Sequence, residues 1–352
     1  MSVAAAPRPW PAPIRALGHA HFRRYFAGQA VSILGSWIQQ VAMAWLVYRL
    51  TGSAALLGVT AFAALIPQLL VGPFAGAWVD KHDKRRALLW VQALLTVQAL
   101  ALAALTWLGW VSPWLLVAMS GLLGVLNSFD TPLRQSLIGS FVGRREDLPN
   151  ALALNAMLFN SGRFIGPPIA GALLAALSEA ACFALNALTF LALIIAVASI
   201  RMPAPPKAQG SMGDVFREGV SYAWHTWLVR LLIFTLIALN LTASAYAVLL
   251  PVFARDVFAG DARTLGWLWG AAGCGAFVST LYLATRQSMP GLVRSIIFGA
   301  ALSALALLVF GLTAWLPLAL AALAALGFGI SVSNVGINML LQSTAPDRLR
   351  GR

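Results

Sequence analysis

An all-α fold crossing a membrane many times is what this sequence predicts, on three observations. Of the 352 residues, 60% are hydrophobic and only 10% charged. Apolar runs of about 20 residues recur along the chain, the length a helix needs to span about 30 Å of hydrocarbon. Short, basic, turn-rich segments separate these runs. Inside hydrocarbon a backbone N–H or C=O finds no water, and the runs are too long for barrel strands, so helices are the structure that satisfies the backbone.

The first 24 residues mix prolines and glycines with Arg8, Arg15, Arg23 and Arg24. They lack an apolar core with a cleavage site, so no removable signal peptide is expected and the first span itself directs insertion. Candidate spans follow near 25–48, 54–79, 87–109, 113–138, 150–177 and 180–199. After the longest polar interruption come 230–254, 264–285, 291–313 and 316–341. The interruption, 201–229, opens with a Pro-rich stretch that no helix tolerates and reads as a cytoplasmic linker. Its second part has the spacing of a short interfacial helix. The expected organisation is an N-terminal segment 1–24, a six-helix bundle 25–200, the linker 201–229 and four helices in 230–352.

The net charge of +13 could suggest nucleic acid in a soluble protein. Here it reports orientation instead. With connectors assigned alternately to two sides, 19 of the 24 lysines and arginines fall on the side of the N-terminus. Arg49, Arg255 and Arg263 fall on the other, and Arg134 and Arg163 lie inside spans. The N-terminus is therefore expected to be cytoplasmic, with no nucleic-acid partner. Cys182 and Cys274 lie in apolar runs far apart in sequence and the four histidines are scattered, so neither a disulfide nor a metal site is expected. No phosphate-cradling glycine loop or Ser/His/Asp set supports an enzyme, and no cofactor is expected.

A shift of 203 residues brings Leu123, Gly124, Ser128, Leu137, Ser140 and Arg145 onto Leu326, Gly327, Ser331, Leu340, Ser343 and Arg348. Both segments are an apolar helix running into a basic connector, as parallel repeats of a two-bundle transporter require. By that logic the second bundle also needs six spans, so the sequence reads as ten transmembrane helices of an expected twelve, truncated at the C-terminal end.

Several motifs narrow the reading. GAWVDKHDKRR after the second span carries Gly76, Asp80, Lys81, Lys84, Arg85 and Arg86 and resembles the signature loop of the major facilitator superfamily, with Asp83 where glycine is usual. GRFIGPPIAG in the fifth span, with Gly162, Gly166, Pro167 and Gly171, is similar to the glycine-proline motif of that superfamily's exporters, with Ala170 where a second glycine is common. GSWIQQVAMAWLVYRLTGS, FDTPLRQ, EDLPNALALN and LLQSTAPDRLRGR, in that order, resemble the subfamily of enterobactin exporters and macrolide efflux proteins. The resemblance covers essentially the whole chain. It implies the two-bundle fold and a monomeric secondary transporter of the bacterial inner membrane. Such a carrier exports an amphipathic small molecule, a siderophore or a drug such as a macrolide, in exchange for protons by alternating access. An importer of similar fold and a transport-inactive truncated membrane protein are the competing readings.

Single residues carry finer expectations. Asp80 caps a helix or pairs with nearby arginines. Asp130 and Arg134, one turn apart with the acid first, suit an intrahelical pair in the cytoplasmic third of the fourth span. By the resemblance, Asp130 also meets Lys84 or Arg85 in a gating network; the alternative is that it carries the coupled proton. Arg163 faces an anionic substrate or pairs with backbone carbonyls and polar neighbours such as Asn160. Gln39, Gln40, Trp45, Asn155 and Arg163 are candidate residues of a substrate cavity.

The charge bias predicts the outcome of single-cysteine labelling in intact cells with a membrane-impermeant reagent. Residues 256–262 should react from outside, whereas 81–86 and 201–210 should react only after permeabilisation; the reverse pattern would invert the topology.

Overall fold

The computed structural model describes residues 11–200, 226–284 and 289–344. Among them run ten long helices: α1 Ala20–Thr51, α2 Ala54–Lys81, α3 Lys84–Trp107, α4 Pro113–Phe141, α5 Leu148–Ala176, α6 Glu179–Ala198, α7 Trp227–Val252, α8 Ala262–Ala284, α9 Met289–Leu312 and α10 Leu316–Thr344. The ten expected spans thus coincide with ten helices. Eight are long and apolar enough to cross a membrane on composition alone. The other two are α5, diluted by Arg163 and its polar neighbours, and α8, rich in glycine. The interfacial helix expected in the linker and the terminal motif beyond Thr344 lie outside the described residues.

Local chemistry sets the ends. Asp83 accepts from the backbone N–H groups of Arg85 and Arg86 and caps α3. Ser112 accepts from Leu115 N–H, with Pro113 next, and caps α4. These caps satisfy donors that have no partner within the helix. Gly52 after α1 and Gly109 after α3 take positive φ, +59° and +71°, which glycine adopts without steric cost. Past Pro251 the end of α7 continues as a π-helical turn, Phe253–Val257.

The chain divides into two compact units. Unit 1 holds the residues up to Gln39, Thr60–Gly162 and α6; unit 2 holds Gln40–Val59, Arg163–Ser178 and α7 to α10. The core of unit 1 gathers Phe22, Tyr25, Leu88, Leu95, Leu133, Phe141, Phe190 and Leu193. That of unit 2 includes Leu232, Leu283, Leu292, Ile296, Val332 and Ile337. Large apolar side chains also cover the outside: Phe74 is 76% exposed, Trp90 72% and Leu312 87%. On a water-soluble protein such surfaces would aggregate; on a membrane protein they meet lipid tails. Trp107, Trp110 and Trp114, all exposed around the α3–α4 turn, suit the aromatic belt at a membrane interface.

Lipid tails are as apolar as leucine, so helices pair here through close steric fit and polar contacts. At Gly124 of α4 a side chain would collide with the Ala64 carbonyl of α2, and at Gly327 of α10 with the Ala272 carbonyl of α8. Gly124 and Gly327 are the two glycines superposed by the 203-residue shift. The repeat therefore has a steric content: in each unit an equivalent glycine seats one helix on a backbone carbonyl of the helix two before it.

Replacing Gly327 by valine should overpack that contact, at a cost of about 1–3 kcal/mol. We expect the unfolding temperature of the purified protein to fall by roughly 2–10 °C. Gly311→Val, at a site with nothing within 4 Å, should leave it unchanged or slightly raised; equal effects of the two would refute the seat.

Candidate functional site

The strongest polar cluster lies inside unit 1 and is built on α4. Asp130 and Arg134, 6% and 7% exposed, are joined by Arg134 Nε donating to Asp130 Oδ2 at 2.6 Å. Gln92 of α3 donates from Nε2 to the other oxygen, Oδ1, at 2.5 Å. From α1, Gln29 Oε1 accepts from Arg134 Nη1 at 2.8 Å and Ser32 Oγ from Nη2 at 3.3 Å. One ion pair thus ties three helices together. Satisfaction is incomplete, since Tyr25 Oη, Gln29 Nε2 and Gln92 Oε1 are buried without a hydrogen-bond partner. Buried polar atoms are normally paired, so three such atoms around one ion pair set this site apart as incompletely paired.

The intrahelical pair is as expected, but its basic neighbours are not. Lys84 pairs with Asp80 at 3.4 Å. Arg85 donates to the carbonyls of Val197 and Ala198, at 3.2 and 2.7 Å, at the C-terminal end of α6, where a cation meets the negative end of the helix dipole. The reason is depth. Gln92 lies eight residues beyond Lys84 on α3, about 12 Å along the axis, and it is Gln92 that stands level with Asp130. Asp80 is likewise not the helix cap; that role falls to Asp83, at the position that departs from the signature pattern.

A second polar layer in unit 1 is fully paired. Gln39 of α1 donates to Gln98 of α3 at 3.2 Å and accepts from Asn186 of α6 at 2.7 Å. Thr189 donates to Asn186 Oδ1 at 2.9 Å, and Gly35 leaves room for the Asn186 and Thr189 side chains. Gln39 is 2% exposed with both ends of its amide engaged, which removes it from the candidate cavity residues. Of the others, Gln40 is exposed, and Trp45 and Asn155 are partly buried, the Asn155 Oδ1 atom being without a partner. Sequence reading missed Gln29, Ser32, Gln92, Gln98 and Asn186, because a lone amide in an apolar run carries no spacing signal.

In unit 2 the glycine-proline motif forms a seam with α8. A Cβ at Gly171 would lie 2.6 Å from the Ala262 carbonyl oxygen and 2.8 Å from Gly266 Cα; one at Gly266 would lie 2.7 Å from the Pro167 carbonyl oxygen. Gly270 accommodates the Pro168 ring, and Gly273 the Arg163 carbonyl with Phe164 Cα at 2.8 Å. Phe164 and Phe277 stack with centroids 5.9 Å apart. Gly162 sits in unit 1, against Ile33 and Trp37 of α1. Elsewhere in unit 2, Tyr48 donates to Asp256 while Arg255 lies over the Tyr48 ring, 5.8 Å from its centroid. Asn240 of α7 donates to Asn334 of α10 at 3.2 Å, another amide contact invisible to motif reading.

Outside the spans, Asp147 between α4 and α5 fastens the N-terminal segment. It pairs with Arg15 and accepts from His19 Nε2 at 2.8 Å, while Asn150 accepts from Ala16 N–H at 2.9 Å. The His19 hydrogen bond, aided by the Arg15 charge, holds the Asp147 carboxyl below its ordinary value. Among the described residues no group of His, Cys, Asp and Glu is arranged to hold a metal ion.

With this geometry in hand, comparison with known proteins is decisive. The family model described as transmembrane secretion effector matches residues 11–352. The chain belongs to this family of major facilitator transporters. It is 29% identical over 296 residues to the staphyloferrin A transporter of Staphylococcus aureus, covering 79% of this chain and 72% of that protein. It is also 29% identical over 336 residues to the multidrug efflux pump Tap of Mycolicibacterium fortuitum, covering 90% and 80%. The macrolide efflux protein A of Streptococcus pyogenes matches at 24% over 182 residues, 52% of this chain and 45% of that one. Among solved structures, a bacterial homologue of the iron transporter ferroportin in its inward-facing state superposes with TM-score 0.67 at 17% identity, over 94% of this chain and 86% of that one. A bacterial homologue of the lysosomal transporter Spinster superposes with TM-score 0.64 at 13% identity, over 94% and 76%. The fold is therefore the major facilitator fold, and the protein is a multi-pass membrane transporter of an efflux-type family.

In this transporter, Arg134→Ala leaves the Asp130 carboxylate buried without its cation, at a cost of about 3–5 kcal/mol. Its unfolding temperature in detergent should drop sharply. Adding Asp130→Asn to Arg134→Ala should recover much of the loss; a double variant as unstable as the single one would contradict the network.

Proposed function

We propose that the protein is a proton-coupled exporter of an amphipathic small molecule, working by alternating access of two helical bundles across the bacterial inner membrane, with a cytoplasmic N-terminus. The observation that carries this reading is the match to a secretion-effector family along residues 11–352, with a staphyloferrin A transporter and a multidrug efflux pump among the relatives.

On this reading the two bundles are 25–200 and the helices from 230 onward, joined by 201–229. The α2–α3 loop, with Gly76, Asp80, Lys84 and Arg85, and the Asp130–Arg134 pair control the cytoplasmic gate. The pairing of Arg85 with the α6 carbonyls gives that loop a contact to break and remake. An ion pair ringed by unsatisfied amides gives α4 a site whose polar partners can exchange as the bundle moves. The glycine-proline motif of Gly162, Gly166, Pro167 and Gly171, through the seam that Pro167 and Gly171 form with α8, holds α5 rigid and leak-tight, while Gln40, Trp45, Asn155 and Arg163 contribute to substrate contacts. The working unit is a monomer, and substrate and protons are its only small partners.

The test is accumulation of a panel of amphipathic compounds in efflux-deficient bacteria expressing the chain. At least one compound should accumulate less than in control cells, and a protonophore that collapses the gradient should abolish the difference. Gradient-independent lowering, or raised accumulation driven by the gradient, would replace this reading by facilitated exit or import.

A further inference from the structure

Arg163 is the charge that neither the gate nor the seam uses. Along the ten helices, among the described residues, the one carboxylate in the interior of a span is Asp130, buried and held by Arg134. Asp80 and Glu179 sit at helix ends, and Asp256 lies in the turn after α7. Arg230 and Arg294 lie in the first two turns of α7 and α9; the cations deep within a span are Arg134, already paired, and Arg163, which is exposed and makes no ion pair among the described residues. Arg163 stands fifteen residues into α5, about 22 Å along its axis and so near the middle of a core about 30 Å thick.

A guanidinium facing lipid at that depth costs at least about 2.5–3.5 kcal/mol, and such groups face water or a ligand instead. The backbone beneath it is fixed, because Gly273 receives the Arg163 carbonyl and Phe164 stacks on Phe277. Among the described residues no exposed mid-span carboxylate is present to pair with a cationic cargo.

Resting on the exporter reading and deepening it, we propose that Arg163 is a clamp for a carboxylate on the cargo, so that the transported molecules are amphipathic anions. The planar guanidinium fork matches a carboxylate with two parallel hydrogen bonds. The preference therefore discriminates among efflux substrates: amphipathic acids bind, and amphipathic amines of similar size bind less tightly.

The test measures equilibrium binding of radiolabelled fusidate, an amphipathic carboxylate, and erythromycin, an amphipathic amine, to the full chain in lipid nanodiscs. Fusidate should bind more tightly than erythromycin. Arg163→Gln should weaken fusidate by about tenfold or more, the loss of one charge-assisted contact, while Arg163→Lys, which keeps the charge but not the two-pronged fork, should fall between that variant and the unmodified chain. Unchanged erythromycin binding and unfolding temperature in Arg163→Gln establish that the variant is folded. Failure to bind fusidate, tighter binding of erythromycin, or indifference of fusidate to Arg163→Gln would overturn the clamp. Arg163-dependent fusidate binding without gradient-driven efflux would instead leave the clamp standing and remove the exporter reading.

Discussion

Hydrocarbon offers no hydrogen-bond partner to a peptide group, and most of this structure follows from that constraint. It forces each span into a helix that pairs its own backbone. It also removes the usual reason for helices to associate, because an apolar side chain gains little by leaving lipid for protein. What remains is steric fit and polar pairing. Gly124 on the Ala64 carbonyl, Gly327 on the Ala272 carbonyl and the Gly171–Gly266 contact bring backbones closer than any side chain would permit. The amide layer of Gln39, Gln98 and Asn186 supplies the polar counterpart.

The two polar clusters of unit 1 differ in a way that matters for motion. In the Gln39 layer the amides that join α1, α3 and α6 are engaged, and any rearrangement would strand a donor or acceptor in a low-dielectric interior. That layer is fit to hold the bundle rigid. Around Asp130, Tyr25, Gln29 and Gln92 each keep one unpaired polar atom, so this cluster is less completely paired than the Gln39 layer.

The departures from expectation share a cause. Asp83 stands where the signature loop usually has glycine, and its short side chain satisfies two backbone donors at the start of α3. Lys84 and Arg85 looked like partners for Asp130 because sequence motifs list charges without their depth. The amides at Gln92 and Gln29, which do meet that pair, are neutral residues in apolar runs and give no motif at all. Gln39 and Gln40 looked alike as cavity candidates; a rotation of one residue about the helix axis separates the interior amide of Gln39 from the exposed one of Gln40.

By itself the sequence determined the helical fold, the positions of ten helices to within a few residues, the 203-residue shift that superposes Gly124 and Gly327, and membership of the family. Each of these depends on composition or order along one dimension: hydropathy records depth through the bilayer, and motif order records ancestry. The tertiary structure decided which face of each helix is buried and therefore which polar residues meet, placing Gln92 and Gln29 on the Asp130–Arg134 pair, Arg85 on α6 and Arg163 on an exposed face. The runs are apolar nearly all the way round, so no amphipathic stripe fixes their rotation, and azimuth is settled only when neighbouring helices pack.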